Sequence, residues 1–96
     1  MNNMVCLDFK DWIFAGFEVS KMKHKKYDAI LVSKENHSVK RVPFGDNRYE
    51  HYRDKIGEWS HLNHNDKERR KQYRSRHRND NLNCYSAGYF SYKFLW

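Results

Sequence analysis

The chain begins with an apolar and aromatic stretch between Met4 and Val19. Its large side chains recur at helical spacing. In a helix one face would therefore carry Phe9, Trp12, Ile13 and Phe17. The residues from Val5 to Phe9 also suit a short strand, so both alternatives stay open. Residues 1–23 are therefore predicted to form an apolar N-terminal segment. It either docks onto another protein or covers the core of its own domain.

A β-hairpin is predicted next. Tyr27 to Val32 is rich in strand-forming residues, and Val39 to Val42 is a second short strand. The polar residues Ser33 to Ser38 between them have the composition of a turn longer than two residues. Pro43, the only proline, is expected to end the second strand.

Helical patterns dominate the rest of the chain. A short helix that ends before Gly57 is predicted from the spacing of Tyr49, Tyr52, Arg53 and Ile56. A stronger pattern predicts a helix from Lys67 to Arg78, with Asn65 as its N-cap and Glu68 completing a capping box. Tyr73 and His77 form its inward face, and a turn-rich run at 79–83 ends it.

The C-terminal stretch from Tyr85 to Trp96 is aromatic on nearly every side, and Ser86 is suited to cap a last helix. Together these elements predict the α+β class, in one small domain. The apolar segment 1–23 precedes a basic α+β domain at 24–96, in which the β-hairpin is followed by two or three short helices.

Composition adds that the chain is basic and aromatic. Hydrophobic residues make up 39%, aromatic residues 17%, and the formal net charge is +7. Residues 1–23 are neutral, residues 24–60 carry +2 and residues 61–96 carry +5, so the charge is concentrated in the last third. No apolar run reaches the roughly 18–20 residues of a membrane span, and the N-terminus does not read as a secretory signal. We therefore expect a protein that is soluble or part of an assembly.

The two cysteines, Cys6 and Cys84, are 78 positions apart and match no local metal motif. Two cysteines do not make a disulfide-rich framework, so free thiols in a reducing intracellular compartment are the simpler interpretation. Neither cysteine has the glycine-rich surroundings of a catalytic nucleophile, and the four glycines form no phosphate-binding loop. We expect no enzymatic activity and no cofactor.

Several blocks between residues 25 and 96 occur in a characteristic order. They are Tyr27-Asp28-Ala29, Val42-Pro43-Phe44-Gly45, His64-Asn65-Asp66-Lys67-Glu68-Arg69-Arg70, Tyr73, Arg76-His77, Ser86-Ala87-Gly88-Tyr89-Phe90-Ser91 and Leu95-Trp96. In these blocks the chain resembles a family of short proteins of unknown function encoded by nucleocytoplasmic large DNA viruses, the giant viruses of algae and protists. Residues 1–24 fall outside the resemblance. Some relatives continue beyond the terminal Leu-Trp pair with a basic tail.

The resemblance implies a viral product that is carried in the particle, and it supplies no catalytic residues. It leads to the hypothesis of a minor capsid or cement protein, whose partners are other viral structural proteins. The implied localisation is the virion, and the host cytoplasm or nucleus during assembly. Aromatic and apolar residues near both termini would anchor the protein interfaces: Phe9, Trp12, Ile13, Phe17, Phe90, Phe94 and Trp96.

The predicted basic helix is the first candidate site, because seven of its twelve residues are cations. They are Lys67, Arg69, Arg70, Lys71, Arg74, Arg76 and Arg78. Such a density suits the phosphates of DNA or RNA, and equally the acidic grooves of capsid proteins or plain solvation. A non-specific nucleic-acid-binding protein packaged with the viral genome is therefore the alternative function.

A zinc site is a weaker candidate. His61, His64, His77 and Cys84 are ligands of acceptable type, but their spacing matches no known zinc motif. A nuclease of the His-Asn-His kind built on His64-Asn65 and His77 lacks an upstream hairpin and a set of carboxylate ligands. The sequence therefore assigns neither a metal nor a catalytic residue.

Overall fold

Three antiparallel strands form the centre of the fold, in the order β2–β3–β4. The computed structural model describes residues 6–78 and 83–96. A separate two-stranded pair joins β1 to β5, near the two ends of the described chain. The elements in chain order are β1 (Leu7–Asp8), β2 (Trp12–Val19), β3 (Lys25–Ser33), β4 (Val39–Asp46), a short 3-10 helix (Ser60–Leu62), α1 (Lys67–Arg76), β5 (Cys84–Tyr85) and α2 (Ala87–Phe94). The predicted α+β class is confirmed.

The predicted hairpin corresponds to β3 and β4, which pair from Val32 with Val39 to Lys25 with Asp46. The prediction that Pro43 ends the second strand is wrong, since β4 continues through it to Asp46. β4 lies at the edge of the sheet. A proline is tolerated there because an edge strand leaves part of its N–H groups without a neighbouring strand.

Within its described part, residues 6–23, the apolar N-terminal segment forms the strands β1 and β2, and the helical alternative is wrong. β2 pairs with β3 from Trp12 with Ser33 to Val19 with Tyr27. The register shifts between Phe14 and Gly16, where Gly16 has a φ of 125°. This bulge turns Phe14 and Phe17 to the same face, although three-residue spacing would normally separate them in a strand. Residues 12–19 thus belong to the sheet instead of forming a docking segment separate from the domain at 24–96.

One face of the sheet carries the hydrophobic core. Tyr27, Ala29 and Leu31 of β3 are buried there, with Val42 and Phe44 of β4. α2 packs over this face and inserts Phe90, whose ring stacks on Phe44 with centroids 5.5 Å apart. The predicted cap of α2 is confirmed, because Ser86 Oγ accepts a hydrogen bond from the Tyr89 amide (3.1 Å).

Residues 47–66 connect β4 to α1 without an α-helix, so the predicted helix over Tyr49 to Ile56 is wrong. The segment instead folds back on itself through paired backbone groups. The His51 amide donates to the Leu62 carbonyl (3.2 Å) and the His64 amide donates to the His51 carbonyl (2.9 Å). The helical spacing arose because the segment buries Tyr52 and half-buries Ile56 from an irregular backbone.

Helix α1 begins at Lys67, as predicted, but its cap differs. Asp66 accepts hydrogen bonds from the amides of Glu68 (3.0 Å) and Arg69 (3.2 Å). The prediction of Asn65 as the cap is wrong: this residue has a φ of 56°, and its side chain accepts a hydrogen bond from Arg53. The helix ends at Arg76, two residues before the predicted end. Most of the predicted terminating turn, at 79–82, lies outside the described residues.

Candidate functional site

Helix α1 has an inward face made by residues 70, 73, 74 and 77, which are half-buried. The Tyr73 ring stacks on Trp96 with centroids 4.2 Å apart and an interplanar angle of 4°. It also stacks on His77, again at 4.2 Å. The predicted inward face of Tyr73 and His77 is thus confirmed.

Two of the seven predicted binding cations help to fix α1 to the C-terminal residues. Arg70 Nε (2.8 Å) and the Arg74 guanidinium (3.2 and 3.1 Å) donate to the main-chain oxygen of Trp96. The Arg70 guanidinium also lies over the Tyr52 ring at 4.9 Å. The Arg74 guanidinium lies over Tyr92 at 4.8 Å. These two arginines therefore act within the fold, as hydrogen-bond donors and cation–π partners.

A third predicted cation, Arg69, forms an ion pair with Glu50 (Nη1 to Oε1, 3.0 Å). Both side chains are about half exposed, so this pair contributes little to stability. The other four predicted cations are exposed, three of them on α1 and the fourth, Arg78, two residues beyond its end. We call this set the outer basic face: Lys67, Lys71, Arg76 and Arg78.

The predicted aromatic anchors are divided between the interior and the surface. Phe90 is 1% exposed, so it belongs to the protein's own core. A second group is half-buried against that core: Trp12, Phe17, Phe94 and Trp96. Only Phe9 and Ile13 of the predicted set are classed as exposed.

The weaker zinc candidates lie in four different environments. His61 contacts Trp59, and His77 stacks on Tyr73. His64 Nδ1 accepts a hydrogen bond from the Asp66 amide (2.9 Å), and burial lowers its pKa. Its ring lies 5.2 Å from that of Trp96, so His64 and His77 flank the Tyr73–Trp96 stack. Across residues 6–78 and 83–96, no three His, Cys, Asp or Glu side chains are grouped closely enough to hold a metal ion.

Cys84, the fourth zinc candidate, forms a disulfide with Cys6, so the expectation of two free thiols is wrong. The pairing of β1 with β5 brings their Cα atoms to 5.5 Å, within the normal range for a disulfide. Sequence spacing gave no hint of this bond, because the two cysteines are 78 residues apart and meet only through the fold.

A buried polar network under residues 47–66 is the largest feature that sequence reasoning missed. The Lys26 ammonium contacts His51 Nδ1 (2.7 Å) and donates to the Tyr49 carbonyl (3.0 Å). His51 Nε2 contacts Asn63 Oδ1 (2.6 Å). Burial lowers the pKa of Lys26 to about 8, and burial together with the Lys26 charge lowers the pKa of His51. His51 therefore accepts from Lys26 and donates to Asn63.

The second half of this network is built on Asp54. Its carboxylate accepts hydrogen bonds from the Tyr27 hydroxyl and from the amides of Trp59 (2.8 Å) and Ile56 (2.7 Å). Burial acts to raise the pKa of Asp54, but these hydrogen bonds outweigh it and hold the pKa below its usual range. Conversely, burial and the bond to Asp54 raise the pKa of Tyr27. The network fixes the irregular segment onto β3.

The sheet surface opposite the core, which we call the outer sheet face, carries an apolar row that crosses all three strands. The strand pairing aligns Ile13, Val32 and Val39. Ile13 and Val39 are 51% and 60% exposed. On the same face, Arg41 of β4 reaches across the sheet to Glu18 of β2 (2.5 Å).

Comparisons with protein-family models, with curated protein sequences and with solved structures find no match to this chain. The elements of the fold define the class, which is a small α+β protein. None of the described helices is both long and apolar enough to cross a membrane.

Proposed function

We propose that the chain is a non-catalytic structural protein of a large DNA virus particle. In this role it acts as a minor capsid or cement protein that binds larger capsid proteins through the outer basic face. The observation that carries the proposal is the division of α1 into two sides. Arg70, Tyr73 and Arg74 hold the helix on Trp96, so its exposed cations are presented from a fixed element. A helix that is already held in place adds no backbone ordering to the entropic cost of binding.

Acidic protein is favoured over single-stranded nucleic acid as the partner of this face. Binding of single strands normally combines cations with aromatic rings on which bases stack. Tyr73, the aromatic ring of α1, is half-buried in contact with Trp96 and His77. The residues among the exposed cations are the polar or acidic Glu68, Gln72 and Ser75. The face thus offers charge without a stacking surface.

The second candidate is a non-specific nucleic-acid-binding protein packaged with the genome. It is favoured by the exposure of four cations within twelve residues, which suits the backbone of duplex DNA. With at most four phosphates neutralised, the logarithm of the binding constant would fall with the logarithm of salt at a slope of about −3.6. This is a shallow slope, because Arg69, Arg70 and Arg74 already have partners within the fold.

The two candidates are separated by a binding assay with matched variants. The first variant, Lys67→Gln, Lys71→Gln, Arg76→Gln and Arg78→Gln, neutralises the outer basic face with residues that keep helix propensity. The control, Lys10→Gln, Lys21→Gln, Lys23→Gln and Lys34→Gln, removes the same charge from exposed positions elsewhere. Each protein is sedimented with genome-free capsids of the encoding virus, and separately titrated with duplex DNA at several salt concentrations.

The proposal expects capsid binding by the wild type and the control, and at least about a tenfold loss in the α1 variant. Micromolar binding to DNA that the α1 variant alone loses, with no capsid binding, would replace the proposal with the second candidate. Equal capsid binding by both variants would also overturn it, because the outer basic face would then be dispensable.

A further inference from the structure

The outer sheet face is apolar in one row and charged in the next. Ile13, Val32 and Val39 form the apolar row, and Ile30 of β3 is the next residue on the same face. Beside them, Glu18 and Arg41 form their ion pair, and Asp28 lies 4.0 Å from the Arg41 guanidinium. An apolar row next to charges of both signs is typical of a protein-binding surface with a fixed register.

The edges of the sheet, in contrast, are poorly suited to accept another strand. β4 carries Pro43, which lacks an N–H group, together with the charged residues Lys40 and Arg41. β2 is interrupted by the bulge between Phe14 and Gly16. Proline, charge and bulges are the devices that protect edge strands from pairing. A partner of this sheet is therefore expected on the face and not at an edge.

The pattern on the outer sheet face is complementary to itself. A twofold axis parallel to β3 would place β4 of a second copy over β2 of the first, and keep every row at its own level. Val39 of one copy would then face Ile13 of the other, and the two Val32 residues would meet at the axis.

The same rotation also brings charged residues of the two copies together. Arg41 of the second copy would lie over Gly16, where no side chain occupies the space, and next to Glu18. Each Arg41 would therefore lie within reach of a Glu18 of its own chain and of one from the second copy. The two Asp28 carboxylates would meet at the axis, as the two Val32 residues do, and each lies 4.0 Å from the Arg41 guanidinium of its own chain.

We propose that the outer sheet face binds a second copy of this chain, which makes the protein a twofold dimer with two stacked three-stranded sheets. Aligned stacking of this kind is common between antiparallel sheets that expose an apolar face. The dimer would carry two outer basic faces and could bridge two capsid subunits. That last consequence rests on the proposed function, whereas the dimer itself does not.

The test is the molar mass in solution, measured by analytical ultracentrifugation at concentrations up to about 100 µM, which detects dissociation constants in the micromolar range. The expected mass is twice the 11.8 kDa of one chain. Ile13→Lys and Val39→Lys place charges in the apolar row and should raise the dissociation constant at least about tenfold. Met22→Lys, at an equally exposed apolar residue in the β2–β3 turn, should leave it unchanged.

A charge exchange tests the register. Arg41→Glu should weaken the dimer, and the double variant Glu18→Arg with Arg41→Glu should restore it. Circular dichroism of each variant confirms that the monomer is folded. A wild type that stays monomeric at about 100 µM overturns the proposal. So does a dimer that survives both lysine substitutions, since it would use another surface. Capsid binding by a monomeric wild type would leave the proposed function standing while refuting the dimer.

Discussion

Tyr27 shows how a single side chain joins the sheet to the irregular segment that follows it. Its ring lies in the core, while its hydroxyl donates to Asp54 and accepts from the amides of Glu58 (2.8 Å) and Trp59 (3.2 Å). A strand pattern predicts that Tyr27 is buried, but it does not predict these partners. They come from residues about 30 positions away, so only the folded chain brings them together.

Tyr27→Phe is therefore expected to lower the free energy of unfolding by about 2–3 kcal/mol, because it takes a donor from the buried Asp54 and an acceptor from two partly buried amides. Urea denaturation followed by tryptophan fluorescence measures the change. Tyr49→Phe is the matched control: this tyrosine is 63% exposed, and the substitution should change stability by less than about 0.5 kcal/mol. Equal effects of the two substitutions would contradict the role of the Tyr27 hydroxyl.

Lys26 makes the free energy of unfolding depend on pH in the alkaline range. Burial lowers its pKa from 10.5 to about 8. Between these pH values the unfolded chain keeps a proton that the folded protein has released, so the free energy of unfolding rises with pH. The rise is at most about 1.4 kcal/mol per pH unit. Below pH 8 both states hold the proton, and this gain is absent.

The variant Lys26→Met has no titratable group at this position. The difference in unfolding free energy between the wild type and Lys26→Met therefore isolates the contribution of the Lys26 titration. Urea denaturation of both proteins at pH 8, 9 and 10 should show a difference that changes steadily in favour of the wild type as pH rises. Two parallel pH profiles would mean that Lys26 keeps an ordinary pKa in the folded protein.

At the level of elements, local patterns predicted the hairpin, the start of α1 and the Ser86 cap of α2. These features depend on neighbouring residues alone. The nature of β2 was left open because Phe9, Trp12, Ile13 and Phe17 also have helical spacing. In the sheet the neighbours Trp12 and Ile13 lie on opposite faces instead. The helix predicted over residues 49–56 failed because long-range hydrogen bonds to Lys26 and Tyr27 override a short periodic pattern.

At the candidate site, too, long-range contacts of the basic helix could not be predicted from the sequence. Its position and charge follow from the sequence, but the division of its cations does not. Arg70 and Arg74 act within the fold because Trp96, more than twenty residues later, offers its main-chain oxygen to them. The Cys6–Cys84 disulfide was missed for a related reason, since β1 and β5 are each only two residues long.

This disulfide joins Cys6, which precedes β1, to Cys84 of β5, and it encloses most of the chain. Replacing both cysteines by serine is expected to lower the free energy of unfolding by roughly 2–4 kcal/mol, chiefly by freeing the unfolded chain. Urea denaturation with and without dithiothreitol measures this. The reductant should destabilise the wild type and leave the double variant unchanged. A wild type that is insensitive to full reduction would contradict the stabilising role of the bond.

At the scale of the whole molecule, the net charge of +7 is spread unevenly over surfaces with different roles. Arg70 and Arg74 hold α1 on the body of the protein, and the outer basic face remains exposed. The outer sheet face adds an apolar surface on another element. The proposed role between larger subunits rests on this pairing of a basic and an apolar surface, since neutralising a genome would need only the basic one.

The most direct test of the proposed function is the location of the chain in purified particles of the large DNA virus that is proposed to encode it. Particles are opened, the shell is separated from the released genome, and the chain is quantified in each fraction by mass spectrometry. A capsid or cement protein should stay with the shell, and genome-free capsids should contain as much of it per capsid protein as full particles do. Recovery of the chain with the released genome, and its loss from genome-free capsids, would contradict the proposed function.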